Sequence, residues 1–141
     1  MGTFLEDLDD HEGYADRRLP DGQLADGVWT YATRQFTAYV AVCGCGWQAT
    51  GEHPPTEEGE EAAVDQWRWE HAEPELARQA TRRRGELGRV LEWLGGQAGR
   101  LEDPTTLKAV SRALDHARQL VTDLQRELER QTSEREADGE R

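Results

Sequence analysis

The chain has 141 residues, of which 35% are hydrophobic and 33% charged, and its net charge is −12. This composition leaves little for a large hydrophobic core, so some segments should be disordered or should need a partner that covers an apolar face. An acidic chain repels phosphate backbones, and no apolar run approaches the roughly 18 residues of a membrane helix, which disfavours nucleic-acid-binding and membrane proteins.

Residues 1–27 are predicted to form an acidic and mostly disordered leader. Residues 1–30 contain eight acidic residues against two arginines, and Pro20-Asp21-Gly22 is typical of a turn. An acidic start is not a secretory signal, and two close cysteines make no disulfide framework, so we expect a cytoplasmic protein. Alternatively, Phe4–Leu8 forms a short amphipathic turn that docks on a helix and carries His11 toward a metal site.

The segment Val28–Val42 is rich in threonine, valine and aromatic residues, which is typical of a β-strand. It leads into Cys43-Gly44-Cys45-Gly46, which contains both cysteines of the chain. The glycines allow a tight turn, so that both thiolates can point at one metal ion. This turn should reverse the chain into a second strand, Trp47–Thr50, and the two strands should form an antiparallel β-hairpin.

Chain length helps to select the next metal ligand. The strand after the turn runs away from the cysteines at roughly 3.3 Å per residue, which places His53 at its far end. A helix over Glu57–His71 runs back by about 22 Å and returns its last residue to the cysteines. Thiolate and imidazole together suit zinc. The predicted zinc ligands are therefore Cys43, Cys45 and His71, with the fourth position open to His11, His53 or water.

The run Tyr39–Trp47, followed by an alanine-bearing acidic helix that closes on His71, resembles small actinomycete proteins of uncharacterised function. Those proteins carry a C-x-C-G-W turn, a short helix and a terminal histidine. The resemblance covers about residues 36–72 and implies a structural zinc module, with no implied reaction. The family often has a further histidine close to its first strand, and the predicted strand Val28–Val42 has none near it.

Two other readings of the cysteine pair remain open, namely inert buried thiols and a redox pair, since a disulfide across one residue is strained and reducible. No catalytic constellation is visible. The only serines, Ser111 and Ser133, lie in the tail without a triad. Glu70 adjoins His71, but adjacent helical residues point about 100° apart, so they should not share a site. We therefore expect a protein that is not an enzyme.

Capping signals divide the second half of the chain into helices. Thr56 should cap the first helix, and Pro74 should end that helix or open the next. Apolar residues then recur at heptad spacing from Leu76 to Leu101, with a break expected at Gly95-Gly96. Asp103-Pro104 restarts a helix, with the aspartate as its cap.

The last helix has the most regular apolar pattern, which is that of a coiled-coil seam with residues three and four apart. Its members are Leu107, Val110, Leu114, Ala117, Val121, Leu124, Leu128 and Gln131. The first long helix can fold back on the second as a hairpin, which leaves part of the seam uncovered. Homodimerisation, packing on the zinc module and a foreign protein partner could each cover it.

The sequence thus predicts an α+β fold in which a small β-hairpin and helix form a zinc-type module, followed by a helical hairpin or coiled-coil extension. The expected segments are the leader 1–27, a ββα module 28–73, a dimerisation segment 74–134 and a charged tail 135–141. We expect a non-catalytic binding or regulatory protein. The alternative is a nucleic-acid-binding regulator that uses a basic helix face. The competing interpretation of that face is that it is only solvated, with ion pairs inside the protein. The basic face comprises Arg78, Arg82, Arg83, Arg84 and Arg89.

Overall fold

The computed structural model describes residues 2–5 and 8–140. The chain divides into two compact units, one that ends at Ala77 and one that begins at Arg78. A two-stranded antiparallel sheet and a helix build the first unit, and two long helices build the second. The predicted α+β fold class is therefore confirmed.

The sheet of the first unit pairs β1, Gly13–Arg18, with β2, Ala38–Cys43. All six residues of β2 are buried. The prediction of a mostly disordered leader was wrong for β1, which lies inside residues 1–27. The sequence Gly-Tyr-Ala-Asp-Arg-Arg has neither β-branched residues nor clear alternation, so its strand conformation comes from pairing with β2 rather than from intrinsic propensity.

The strand predicted over Val28–Val42 begins only at Ala38, after a short 3₁₀ turn at Tyr31–Thr33. The predicted second strand, Trp47–Thr50, is not continuous either. The chain does reverse along β2 as expected, but through isolated bridges that pair Val42 with Gln48 and Tyr39 with His53. β1 is therefore the strand that pairs continuously with β2, whereas the returning segment contacts β2 only through the isolated bridges.

Three consecutive helical segments follow the sheet along the chain. They are α1, Glu57–Trp67, a π-helical turn, Arg68–Ala72, and α2, Glu73–Gly96. Thr56 caps α1 as predicted, since its side chain accepts a 3.1 Å hydrogen bond from the backbone N–H of Gly59.

Pro74 opens α2 without breaking the helix. A proline has no N–H, and its ring would collide with the carbonyl group four residues earlier in a regular α-helix. In the preceding π-turn the N–H of Glu73 instead bonds to the carbonyl of Arg68, five residues back. The wider turn lets the helix continue past the proline.

The core of the first unit is built around one fully buried tryptophan, Trp67, with Leu8, Tyr39 and Leu76 in the same cluster. The remaining members are mostly alanines from β1, β2, the segment that returns along β2, and α1: Ala15, Ala41, Ala49 and Ala63. A Cβ atom at Gly13 would overlap the Trp67 indole. Burying one tryptophan removes roughly 200 Å² from water, which is worth about 5 kcal/mol at 25 cal/mol per Å². This side chain therefore supplies a large part of the hydrophobic stabilisation of the unit.

The second unit is an antiparallel pair of helices, formed by α2 from Arg78 onward and by α3, Pro104–Gly139. α2 ends at Gly96 and α3 begins at Pro104 with Asp103 as its cap, so the predicted break and restart are confirmed. Side chains link the helices: His116 Nε2 lies 2.8 Å from Glu86 Oε1, and Arg83 Nε lies 3.7 Å from Asp123 Oδ2.

α3 continues to Gly139, into the segment predicted as a charged tail. Arg130 contacts Glu127 and Glu134 at 2.8 Å each, and such pairs at three- and four-residue spacing favour helix. Along the described ranges, no helix combines the length and the apolar content needed to cross a bilayer.

Candidate metal centre

Four side chains from three separate segments converge at one edge of the first unit. They are His11, Cys43, Cys45 and His71, and their potential ligand atoms all lie within 4.8 Å of one another. One comes from the segment before β1, two from the end of β2 and the turn that follows it, and one from the π-helical turn. The structure thus brings together the three ligands predicted from the sequence and one of the three candidates for the fourth position.

The cysteine turn owes its shape to backbone hydrogen bonds and to one glycine. The N–H of Gly46 donates to the carbonyl of Cys43, and the N–H of Cys43 donates to the carbonyl of Trp47, both at 2.9 Å. Gly46 has φ +101°, a conformation that residues with a Cβ rarely adopt. The turn therefore holds Cys43 and Cys45 on one side of the reversal.

The π-helical turn places His71 at the site. Buried residues follow the helix at 63 and 67 and then at 72, 76 and 80, with a five-residue step across this turn. The inserted residue lets Ala72 stay in the core while His71, beside it, reaches the cysteines. π-turns of this kind occur frequently at functional sites. The Trp47 ring stacks on the imidazole at 4.8 Å with an interplanar angle of 14°, which fixes the plane of His71.

His11 reaches the site because of the strand that sequence analysis missed. The register pairs Gly13 with Cys43, so the residues just before β1 continue past the cysteine turn. The carbonyl of Glu12 accepts a 2.8 Å hydrogen bond from the N–H of Gly44, and Leu8 anchors the same segment in the core. The first strand of the fold therefore does have a histidine close to it.

The other candidates for the fourth ligand were His53, which lies elsewhere, and water, which is not needed to complete the set. His53 is not part of the cluster, since its Nε2 lies 2.8 Å from Gln66 Oε1. The alternative in which Phe4–Leu8 brings His11 to the metal matches the observed position of His11. Leu8 is buried, Phe4 is 60% exposed, and residues 6 and 7 of that turn are outside the described ranges.

Three separations among the four groups lie near the edges of a tetrahedral coordination sphere. With zinc–nitrogen bonds of about 2.05 Å and zinc–sulfur bonds of about 2.3 Å, the tetrahedron edges are about 3.3 Å between nitrogens and about 3.6 Å between nitrogen and sulfur. His11 Nδ1 lies 3.0 Å from His71 Nε2 and 3.6 Å from Cys43 Sγ. Cys45 Sγ lies 3.3 Å from His71 Nε2. The same separations also permit hydrogen bonds among these groups in the metal-free protein.

The surroundings of Cys43 oppose an isolated thiolate but would support a metal-bound one. Burial raises the pKa of the Cys43 thiol, whereas the backbone N–H of Cys45 and the Trp67 side chain lower it. The Trp67 indole N–H is buried without a hydrogen-bond partner of ordinary geometry. A divalent cation would displace the thiol proton and supply the missing positive charge, and the indole N–H would then face an anionic sulfur. The donor set and its surroundings therefore fit a zinc ion.

The five arginines of the alternative nucleic-acid site do not lie on one face of α2. At 100° per residue, Arg78, Arg82 and Arg89 share one side, as the sequence predicted, while Arg84 lies on the opposite flank. Arg83 faces α3, where its Nε contacts Asp123. Arg78 and Arg82 also have interaction partners within the protein.

No protein-family description, curated protein or solved structure matches this chain. Inferences about function therefore depend on the geometry of the chain itself.

Proposed function

We propose that the first unit is a structural zinc module and that the protein is a non-catalytic binding or regulatory protein. The proposed ligands are His11 Nδ1, His71 Nε2 and the sulfurs of Cys43 and Cys45. The observation that carries the proposal is the convergence of these four atoms within 4.8 Å, with three separations of 3.0, 3.3 and 3.6 Å near the edges of one tetrahedral coordination sphere. The resemblance of the C-x-C-G-W turn to actinomycete zinc-type modules points the same way.

The number of ligands favours a structural over a catalytic role. Catalytic zinc sites use three protein ligands and keep the fourth position for water or substrate. Here the four proposed protein ligands would complete the coordination sphere and leave no position for an activated water. Two thiolates and two imidazoles also suit zinc better than magnesium or calcium, which prefer oxygen ligands.

A metal would stabilise this unit because its core is small. Apart from Trp67, Leu8 and Leu76, the core cluster is composed largely of alanines. One ion would tie the segment before β1 to the cysteine turn and to the π-helical turn, and so close two long loops of the chain. In modules of this kind the free energy of metal binding contributes directly to the free energy of folding.

Metal analysis of the purified full-length chain tests the proposal, with one zinc per chain as the expected content. Cobalt substitution should give the intense visible bands of a tetrahedral site with thiolate ligands. Single variants Cys43→Ser, Cys45→Ser, His11→Ala and His71→Ala should each lose metal. His53→Ala is the matched control, because His53 bonds to Gln66 outside the cluster, and it should keep its zinc. A metal-free protein with an ordered first unit would contradict the proposal, as would equal metal loss in the control.

The proposed activity proceeds through protein contacts in a reducing cytoplasm. The net charge of −12 opposes nucleic acids, and Arg83 already contacts Asp123. The nucleic-acid alternative therefore has less support. It would regain support if the protein shifted a DNA or RNA probe at physiological salt of about 0.15 M.

A further inference from the structure

The two sides of the helical hairpin in the second unit differ in character. One side is a groove of about 560 Å³, in which Glu86, Arg89 and Trp93 of α2 face Ala109, Arg112 and His116 of α3. This groove side is crossed by the contact between Glu86 and His116. Charged side chains thus border this groove, while Val90, Trp93, Ala109 and Ala113 make most of its lining apolar.

The opposite side of the hairpin carries exposed leucine side chains on both helices, with Arg84 one heptad before Leu91 on the same flank of α2. At 100° per residue, Leu91 lies on the flank of α2 away from Arg89, and Leu114 lies on the flank of α3 away from Arg112. Because the helices are antiparallel, both flanks turn to the same side. We call this surface the leucine face, and it consists of Leu87, Leu91, Leu94, Leu107, Val110, Leu114, Val121 and Leu128.

Much of the leucine face is exposed in the single chain. The exposed fractions are 54% for Leu91, 49% for Leu107, 52% for Leu114, 39% for Val121 and 57% for Leu128. A single exposed leucine is ordinary, but contiguous apolar patches of several hundred Å² mark interaction surfaces. Four of these residues follow α3 at seven-residue intervals, which is the repeat of helices that pack in a coiled-coil manner.

The dimensions of the face suit a modest dimer interface. On α3 the face runs from Leu107 to Leu128, about 32 Å at 1.5 Å per residue. On α2 its leucines, from Leu87 to Leu94, cover about 10 Å, so the face is two helices, or about 20 Å, wide only along that part. The resulting footprint of about 400 Å² is about half of the roughly 800 Å² per partner of a standard specific interface.

We propose that the occupant of the leucine face is a second copy of this chain. A complement must be about 30 Å long, two helices wide over about 10 Å of that length, and apolar at three- and four-residue spacing. The leucine face meets these requirements itself, and a two-fold axis brings the same patch of both copies together. Two hairpins joined in this way form a four-helix bundle, with the groove side of each hairpin on the outside. This inference goes beyond the zinc module and does not depend on it.

The mass of the full chain in solution tests the inference. Sedimentation equilibrium should give twice 16.0 kDa for the native chain. Leu91→Glu and Leu114→Glu should each raise the dimer dissociation constant at least 100-fold, because the two-fold axis repeats each buried charge. Trp93→Glu is the matched control: it replaces a 43% exposed apolar residue of α2 on the groove side, and the dimer should persist.

A native chain that stays monomeric at roughly 100 µM would overturn the inference, as would a trimer or larger assembly. Dissociation by Trp93→Glu, with none by Leu91→Glu, would assign the wrong face. Circular dichroism and zinc content check that the variants remain folded. Should a variant unfold, co-purification of tagged with untagged native chains still tests self-association without any substitution. Cys43→Ser should lose metal and keep the dimer, which separates failure of this inference from failure of the zinc module.

Discussion

Gly13 connects the core of the first unit with the proposed metal centre, which makes Gly13→Ala an informative substitution. Its added Cβ would overlap the Trp67 indole, and this ring has no free space because it is fully buried. Either β1 or α1 must then shift. Overpacking of this kind costs about 1–3 kcal/mol, and a loss of 2 kcal/mol lowers the melting temperature of a domain of this size by roughly 10 °C. Gly13 lies two residues after His11, so the shift should also weaken metal binding.

Gly85→Ala provides the matched control. The same substitution in α2 meets only Arg89 Nη1, at an ordinary 3.7 Å. Removing a glycine from a helix stabilises it by up to about 1 kcal/mol, so the control should change stability in the opposite direction. Thermal and urea unfolding measure both variants, and chelator competition measures their zinc affinity. If Gly13→Ala proved neutral or stabilising, the tight packing of Trp67 on β1 would be refuted.

Three further substitutions test other contacts of the first unit. Trp47→Leu removes the ring stacked on His71 and should lower zinc affinity about 10-fold or more in a chelator titration, with helix content unchanged. Burial, and then the nearby Glu60 carboxylate, raise the pKa of Tyr39 above 10. The neutral phenol therefore stabilises the fold below pH 10, and this contribution is lost as pH rises through the folded pKa. Tyr39→Phe should flatten the alkaline limb of the curve of stability against pH, and absorbance at 295 nm should show the late ionisation of Tyr39 in the native protein. Thr56→Ala should cost about 1 kcal/mol in urea unfolding by removing the cap of α1, and Thr56→Ser should cost less.

The features that sequence analysis predicted well depend on short stretches of chain. Thr56 and Asp103-Pro104 mark helix starts and Gly95-Gly96 marks an end, because capping and glycine effects operate within one helical turn. The chain-length argument also placed His71, rather than His53, beside the cysteines, and this placement is observed. That placement needed only the rise per residue of a strand and a helix, which does not depend on tertiary packing.

The missed features depend on contacts between distant residues. β1 has no strand signature, and its Asp16 is buried because the backbone N–H groups of Asp26 and Gly27 bond to the carboxylate. The position of His11 follows from β1 and could not be fixed without it. The π-helical turn likewise has two causes, the missing N–H of Pro74 and the packing of Trp67 in the core. The apolar periodicity of the sequence alone does not reveal their combined effect.

Both units have few apolar residues in their cores, and we propose a different source of stabilisation for each. In the first, one ion joins three segments around an alanine-rich core, and in the second, another copy of the chain covers exposed leucines. A chelator such as EDTA should therefore loosen residues up to Ala77, as read by faster amide hydrogen exchange of β1 and β2, and should leave the mass of the dimer unchanged. Dilution should do the reverse, because it dissociates the hairpins without removing an intramolecular ion. If chelation also split the dimer, the two units would depend on one another, and the separate roles assigned to zinc and to the leucine face would be wrong.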